Sequence, residues 1–377
     1  MKVKVILALV SLAVVTAFAA SASGSLTAGP PKTTHFSWGT FTLSSRIADK
    51  VKAKQALNFD LSYQILNEPG APAQLRAGMK QGAAQVQKEL GLKINTDLIG
   101  PPNTDPPAQI AQINEFVGAK KIDCGGVEPV TPGAFVSVIN KTMDAGVPMM
   151  TVNTDSPSSH RMTYNGADDY DSGANYASPS QMGKVAGRFT VAWAKANKID
   201  LNGKTAALIS GDTTASWAQG RMKGWMQTVK AAYPQLKVIG TTTTAFTTGY
   251  VPADIYNKMS SFMTGHPQVS LYFSSDWEAA EIGQLIGQRH LKGKVFTLGY
   301  NIDGTIVNDL KQGLILGTLD QRYDLQAKSF IVNCARYLAN GGTPAAYSFV
   351  PPSIWTPKNV DQAIALYKSI PGSGVTG

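Results

Sequence analysis

From Leu57 to Pro351 the chain alternates apolar runs of strand length with stretches whose apolar residues return at helical spacing. The runs predict strands over Leu57–Leu66, Ile94–Ile99, Ile122–Val127 and Val147–Val152, with helices near 72–90, 107–118 and 132–145 between them. A polar segment containing Tyr and Asp, Gly166–Ser178, breaks the rhythm. It resumes with a helix near 179–197 and strands over Thr205–Ser210, Val238–Thr243, Val269–Phe273, Val295–Leu298 and Leu316–Leu319. Helices near 214–233, 253–264, 277–290 and 303–312 separate these, and a helix at 325–339 and a strand near Tyr347–Val350 follow. Strands that are apolar throughout, divided by helices, make βαβ units and buried parallel sheets. The break splits the pattern into two similar series, so the expected fold class is α/β with two doubly wound parallel-sheet lobes. Open sheets of this kind bind ligands beyond the carboxyl ends of their strands, and two such edges turned toward each other form a cleft.

Ahead of this pattern lie Lys2 and Lys4, an apolar run from Val5 to Ala20 broken only by Ser11 and Thr16, and the small residues Ala20-Ser21-Ala22. Residues 1–22 read as a secretory signal peptide; an uncleaved anchor fits less well because the apolar core is short and small residues follow it. No cysteine lies near the cleavage point to take a lipid, so the expected location is the periplasm or the extracellular space, without a lipid anchor. Residues 23–54, rich in Ser, Gly, Thr and Pro and then basic, read as a flexible leader.

The 377 residues are 43% hydrophobic and 16% charged, too apolar for disorder and too long for one ordinary core. A net charge of +9 is spread along the chain rather than clustered, which speaks against a nucleic-acid groove. Cys124 and Cys334 are the only cysteines, which excludes multi-cysteine metal and iron–sulfur sites. Each reads as a buried small hydrophobe, and an exported protein also permits a disulfide between them. The four histidines, at 35, 160, 266 and 290, are isolated, and HExxH and GxSxG are both missing. Gly203-Lys204-Thr205 has Lys198 where a phosphate loop requires Gly, and a strand follows it. Asp168, Asp169, Asp171 and Gly173 lack the alternating oxygens of a calcium loop and read as a solvated acidic turn. No metal or cofactor is expected. An enzyme acting on carbohydrate would need facing carboxylates, for which Asp155 with Asp276 is the sole cross-lobe pair.

The run Ala145 to Pro157, AGVPMMTVNTDSP, followed by Gly166-Ala167-Asp168-Asp169, is similar to the passage AGIPVVTVDTDAP…GTDN of type I periplasmic sugar-binding proteins, the ribose-binding-like branch in particular. Ala218-Gln219-Gly220-Arg221-Met222-Lys223-Gly224 resembles that family's R-x-x-G turn into a helix. Gly265-His266-Pro267 with Leu271–Asp276 resembles AHPDL…AVFAQND. Gly299-Tyr300-Asn301 stands where the family has GFD, and Gly317-Thr318-Leu319-Asp320-Gln321 matches ATVAQ. The landmarks come in order over most of 57–357. The resemblance implies the periplasmic-binding-protein type I fold, with a hinge of three crossings between an N-terminal lobe of 55–166 plus 322–344 and a C-terminal lobe of 167–321 plus 345–372. It implies an exported, non-enzymatic receptor that captures a saccharide-like small molecule in the cleft and hands it to the membrane permease of an ABC importer. The same lobes occur in LacI-type repressors, which carry a DNA-binding headpiece where this chain has its signal peptide, so a monomer without nucleic acid is expected. A receptor that reads a solute, for example a furanosyl signal, and docks on a membrane chemoreceptor or kinase is the alternative.

Sugars present hydroxyls in a plane with apolar faces above and below, so their sites combine bidentate polar groups with aromatic rings. By match to the family motifs the ligand-binding residues are Asn153, Arg221, Tyr250, Asn301 and Gln321, joined by Asp155 two residues after Asn153, by Asp276 beside Ser275 where the family has Asn, and by Trp217 at a loop-to-helix junction facing the expected cleft. Asn153 and Asp155, two apart at an extended strand end, would point the same way. Arg221 offers a fixed fork of donors and Gln321 a donor with an acceptor. Tyr250 has Phe246 as a rival stacking ring, and Asp276 also suits a helix cap. Each position equally has a plain structural reading, as turn former, solvated charge or packing. Asn67-Glu68-Pro69-Gly70 replaces the family's NPFF, leaving Trp38, Tyr63, Trp217 or Trp277 to supply the stacking platform. Amides at 153 and 301 stand where the family has carboxylates, which points to a modified sugar, a polyol or a related polar metabolite.

Overall fold

A computed structural model of the protein describes residues 29–376 except 31, 69, 169 and 172–175. The expected signal peptide lies outside the described residues. The chain begins with a hairpin of β1 (Thr33–Phe36) and β2 (Gly39–Thr42) and a helix α1 (Ser45–Lys52). The first lobe continues through β3 (Leu57–Ser62), α2 (Ala71–Leu90), β4 (Ile94–Ile99), α3 (Pro106–Gly118), β5 (Cys124–Val127), α4 (Pro132–Asp144), β6 (Met149–Val152) and β7 (Tyr164–Gly166). A ribbon of β8 (Tyr170–Asp171) and β9 (Tyr176–Ala177) leads to α5 (Pro179–Ala196). The second lobe holds β10 (Thr205–Ser210), α6 (Ser216–Ala232), β11 (Lys237–Ile239), β12 (Phe246–Thr247), α7 (Pro252–Gly265) and β13 (Val269–Ser274). It continues through α8 (Ala279–Gln288), β14 (Phe296–Tyr300), α9 (Gly304–Gln312) and β15 (Gly317–Asp320). The chain returns to the first lobe with α10 (Tyr323–Asn340) and β16 (Tyr347–Phe349), and ends on the second with β17 (Ser353–Trp355) and α11 (Val360–Tyr367).

The two sheets share one strand order. The first runs β4-β3-β5-β6-β7-β16 with every pair parallel. The second runs β11-β10-β13-β14-β15-β17, parallel but for β17, with β12 also on β10. Both faces of these strands are covered, and the period of two shows it. Ala206 and Leu208 of β10 enter one core cluster, and Ala207 and Ile209 enter another. Helix starts follow from local chemistry: Pro opens α2, α3, α4, α5 and α7, and the Asp105 and Asp303 side chains accept from Ala108 N at 3.0 Å and Ile306 N at 2.8 Å. The buried cysteines form a disulfide between β5 and α10, tying the first sheet to the helix that returns to it. Among the described residues no helix is long and apolar enough to cross a membrane.

Two boundaries differ from expectation. The stretch 23–54, expected as a flexible leader, is folded over 33–52: Phe41, Leu43, Ile47 and Val51 are buried in the core. Arg46 and Lys50 of α1 both reach the buried Asp123, Lys50 at 2.8 Å. The apolar positions of 33–52, scattered among Ser, Thr and Lys, follow no single period long enough to stand out from the composition, yet Ile47 and Val51 are one helical turn apart and face one way. The last crossing also moves. Tyr347, Ser348 and Phe349 pair with Tyr164, Asn165 and Gly166 in the first sheet, so the chain leaves that lobe at 350–352 rather than at 344.

Candidate functional site

Side chains just beyond the carboxyl ends of β3, β5 and β6 meet those beyond β13, β14 and β15. Asn153 follows β6 in the left-handed region at φ 60°, a conformation that asparagine tolerates better than most residues. Its Nδ2 donates to Glu128, the first residue past β5. Asn301 follows β14 at φ 68°, and its Nδ2 donates to Asp276 at 2.5 Å. The Oδ1 of Asn301 accepts from Gln321 Nε2 at 2.7 Å, and the same Nε2 reaches the Tyr323 hydroxyl at 3.0 Å. Gln326 of α10 closes the circuit by donating to the Gln321 carbonyl at 2.7 Å and to Asn153 Oδ1 at 3.5 Å. One hydrogen-bonded chain therefore crosses from the first lobe to the second.

Arg221 lies at the centre of the second lobe's share. Its helix α6 runs against α5 so closely that a Cβ at Gly183 would sit 2.1 Å from the Arg221 carbonyl oxygen, and glycine there fixes where the guanidinium points. That guanidinium is 4% exposed, 4.8 Å from the Trp217 ring centre and 4.3 Å from that of Tyr300. It donates to the Ser275 carbonyl at 3.0 Å and to Gln321 Oε1, with Asp276 at 3.8 Å. From the first lobe Glu68 accepts from the Tyr63 hydroxyl and, across the cleft, from Trp277 Nε1.

Burial dominates the electrostatics. It raises Glu128 to about 8, against the pull of the Asn153 hydrogen bond, with Glu68 adding to the rise and Arg221 opposing it. It raises Glu68 to about 7 although Tyr63, Trp277 and Arg221 all favour the ionised form. Asp168, which is buried rather than solvated, rises to about 7 for the same reason, and Asp276 is pushed well above its ordinary value. The region can thus offer carboxyl groups near neutral charge balance, one permanent cation, amides and aromatic faces. Among the described residues no cluster of His, Cys, Asp and Glu could hold a metal ion.

The model of the periplasmic binding protein domain matches residues 69–343. The chain belongs to this family. It is a family of binding proteins and not of enzymes. Comparison with curated proteins gives no match. Among solved structures, this periplasmic binding protein resembles GanP, a glucose-galactose binding protein from Geobacillus stearothermophilus, with a TM-score of 0.66 and 23% identity over 81% of this chain and 99% of that one. It also resembles an ABC transporter solute-binding protein from Burkholderia graminis C4D1M in complex with D-arabinose, with a TM-score of 0.66 and 20% identity over 80% of this chain and 96% of that one. A chain of the XylFII-LytSN complex is similar too, with a TM-score of 0.65 and 16% identity over 80% and 98%.

In this periplasmic binding protein Asn153, Arg221, Asp276, Asn301, Gln321 and Trp217 lie together, linked by these hydrogen bonds and ring contacts. Tyr250 lies close by, half-buried, where a Cβ at Gly211 would meet its ring at 2.3 Å. Asp155 does not join them. Its carboxylate is held by Arg161 at 2.5 and 2.7 Å and by Thr151 Oγ1 at 2.9 Å. The left-handed turn at Asn153 ends the extended backbone, so the rule that residues two apart share a face no longer applies. Of the four candidate platforms, Tyr63 and Trp277 bind Glu68, Trp217 faces Arg221, and Trp38 stacks instead between Phe36 and His160. Glu68, Glu128, Tyr323 and Gln326 were not among the expected ligand residues. Glu128 had a signal, since it is a charged residue directly after an apolar strand and so sits at the carboxyl-end edge of the sheet.

Proposed function

We propose that the protein is exported to the periplasm or beyond and, as a monomer without a lipid anchor, captures a sugar or sugar-like small molecule between its lobes for delivery to the permease of an ABC importer. The observation that carries this reading is the polar circuit from Glu128 through Asn153, Gln326, Gln321 and Asn301 to Asp276. Beside it Arg221 Nε, Trp217 Nε1, the Tyr300 hydroxyl, Gln326 Oε1 and Glu128 Oε2 are buried without protein partners. Such a mixture of donors and acceptors next to aromatic rings is what a ring of hydroxyls matches, because each hydroxyl both donates and accepts. A solute that touches both lobes stabilises the closed form by its differential contacts, and that form is what a permease would read. The similar proteins named for glucose and galactose and bound to D-arabinose support a saccharide as the class.

The test is a melting-temperature screen of the chain from residue 23 against pentoses, hexoses, polyols, furanosides and amino acids. A ligand at 100 times its dissociation constant adds about 2.7 kcal/mol of stability. A saccharide or polyol hit is expected; hits among amino acids alone would overturn the reading. Similarity to a chain found in complex with LytSN favours a second reading, in which the closed form docks on a membrane sensor instead of a permease. Co-purification of the solute-loaded protein with one or the other separates the two.

A further inference from the structure

We propose that the solute carries a positive charge, a protonated amine on a sugar-sized polyol, seated on Glu128 and Glu68; this rests on the cleft being the capture site. The argument is one of buried acid groups without a cationic partner. Arg221 is within ion-pair range of Asp276, and none of the ion pairs among the described residues involves Glu68 or Glu128. The Glu68 oxygens receive only the neutral donors of Tyr63 and Trp277. Glu128 Oε1 receives the Asn153 amide and, at 3.4 Å, that of Gln64. Its Oε2 is buried with no partner, on a residue that is 0% exposed.

Without a cation Glu128 keeps its proton up to about 8 and a hydroxyl would leave it so, whereas a cation beside Oε2 favours the ionised form and pairs with it where water is excluded. An ammonium supplies the charge together with three donors. Around Glu68, Tyr63 and Tyr323 pack edge to face with centres 6.1 Å apart, and Trp277 donates to its carboxyl group. Arg221, by contrast, is placed to receive neutral hydroxyl oxygens, so the two ends of the site ask for different ends of one molecule.

The test is calorimetric titration of the wild type and Glu128→Gln with matched sets: D-glucose, D-glucosamine and N-acetyl-D-glucosamine; the three galactose counterparts; and sorbitol with 1-amino-1-deoxysorbitol. In at least one set the amine is expected to bind about 100-fold more tightly than its neutral relatives, and Glu128→Gln to cut that preference to about tenfold or less. Neutral members binding as tightly as their amines, or a preference untouched by Glu128→Gln, would overturn the charge and leave saccharide capture standing. Silence from every member of every set would overturn both.

Discussion

Asn153 and Asn301 hold equivalent places in the two lobes. Each is the first residue past the strand that lies between the third and fifth of its lobe's series, each has a left-handed backbone, and each turns its amide N–H onto a buried carboxylate, Glu128 or Asp276. At each place an amide stands in front of a buried carboxyl group. Asn153→Asp therefore sets two carboxyl groups in contact inside the protein. Its melting temperature is expected to fall, and to fall further as pH rises, because at high pH both groups are driven to ionise together. An unchanged melting temperature at pH 8 would show that Glu128 does not face residue 153.

Arg221 is held by Ser275 and Gln321, lies between two rings, and neutralises Asp276. Arg221→Ala leaves that buried carboxylate unpaired, so a loss of about 3–5 kcal/mol of stability is expected along with the loss of binding. Arg221→Lys keeps the charge without the fork and should retain most of the stability while losing affinity. Denaturant unfolding and titration calorimetry on both variants separate the two effects.

The raised carboxyl groups predict a pH slope. Folded Glu128 keeps its proton up to about 8, whereas a glutamate in the unfolded chain gives its proton up near 4.5. Between those values the folded protein binds more protons than the unfolded chain, so stability should drop as pH rises through that window. Glu68 and Asp168, each at about 7, act in the same direction. Melting temperatures from pH 5 to pH 8.5 check this, and Glu128→Gln should flatten the upper part of the curve.

Trp277 and Glu68 hold the lobes together from opposite sides. Trp277→Phe removes the donor and keeps most of the ring; a hydrogen bond to a charged group is worth about 1.5–3 kcal/mol. Without solute the variant should populate a more open form, seen as a larger radius of gyration by small-angle scattering.

The Cys124–Cys334 disulfide closes a sequence separation of 210 residues within the first lobe. Replacing both cysteines with alanine is expected to cost about 2–4 kcal/mol in denaturant unfolding, without changing which solutes bind.

The doubly wound lobes were legible because strands buried on both faces read as unbroken apolar runs, and the ends of β4 and β10 fall where the pattern puts them. The hairpin and α1 were not, since their few apolar residues matter only against a core that local sequence does not display. The meeting of Arg221, Asn301 and Gln321 was legible because a motif carried each of them. The candidate site was hidden where a backbone turn redirected a side chain, as at Asp155, or where the partner came from the other lobe, as for Glu68 with Trp277. Neither a positive φ nor a contact across 209 positions leaves a periodic trace.

The central claim is that a sugar-like solute binds between the lobes on the circuit joining Asn153 to Asn301. Calorimetric titration of wild type and Gln321→Ala with the saccharides found in the melting screen tests it most directly. One solute per chain is expected, with Gln321→Ala weakening it by at least about tenfold. Full affinity in Gln321→Ala would place the solute elsewhere and contradict the claim.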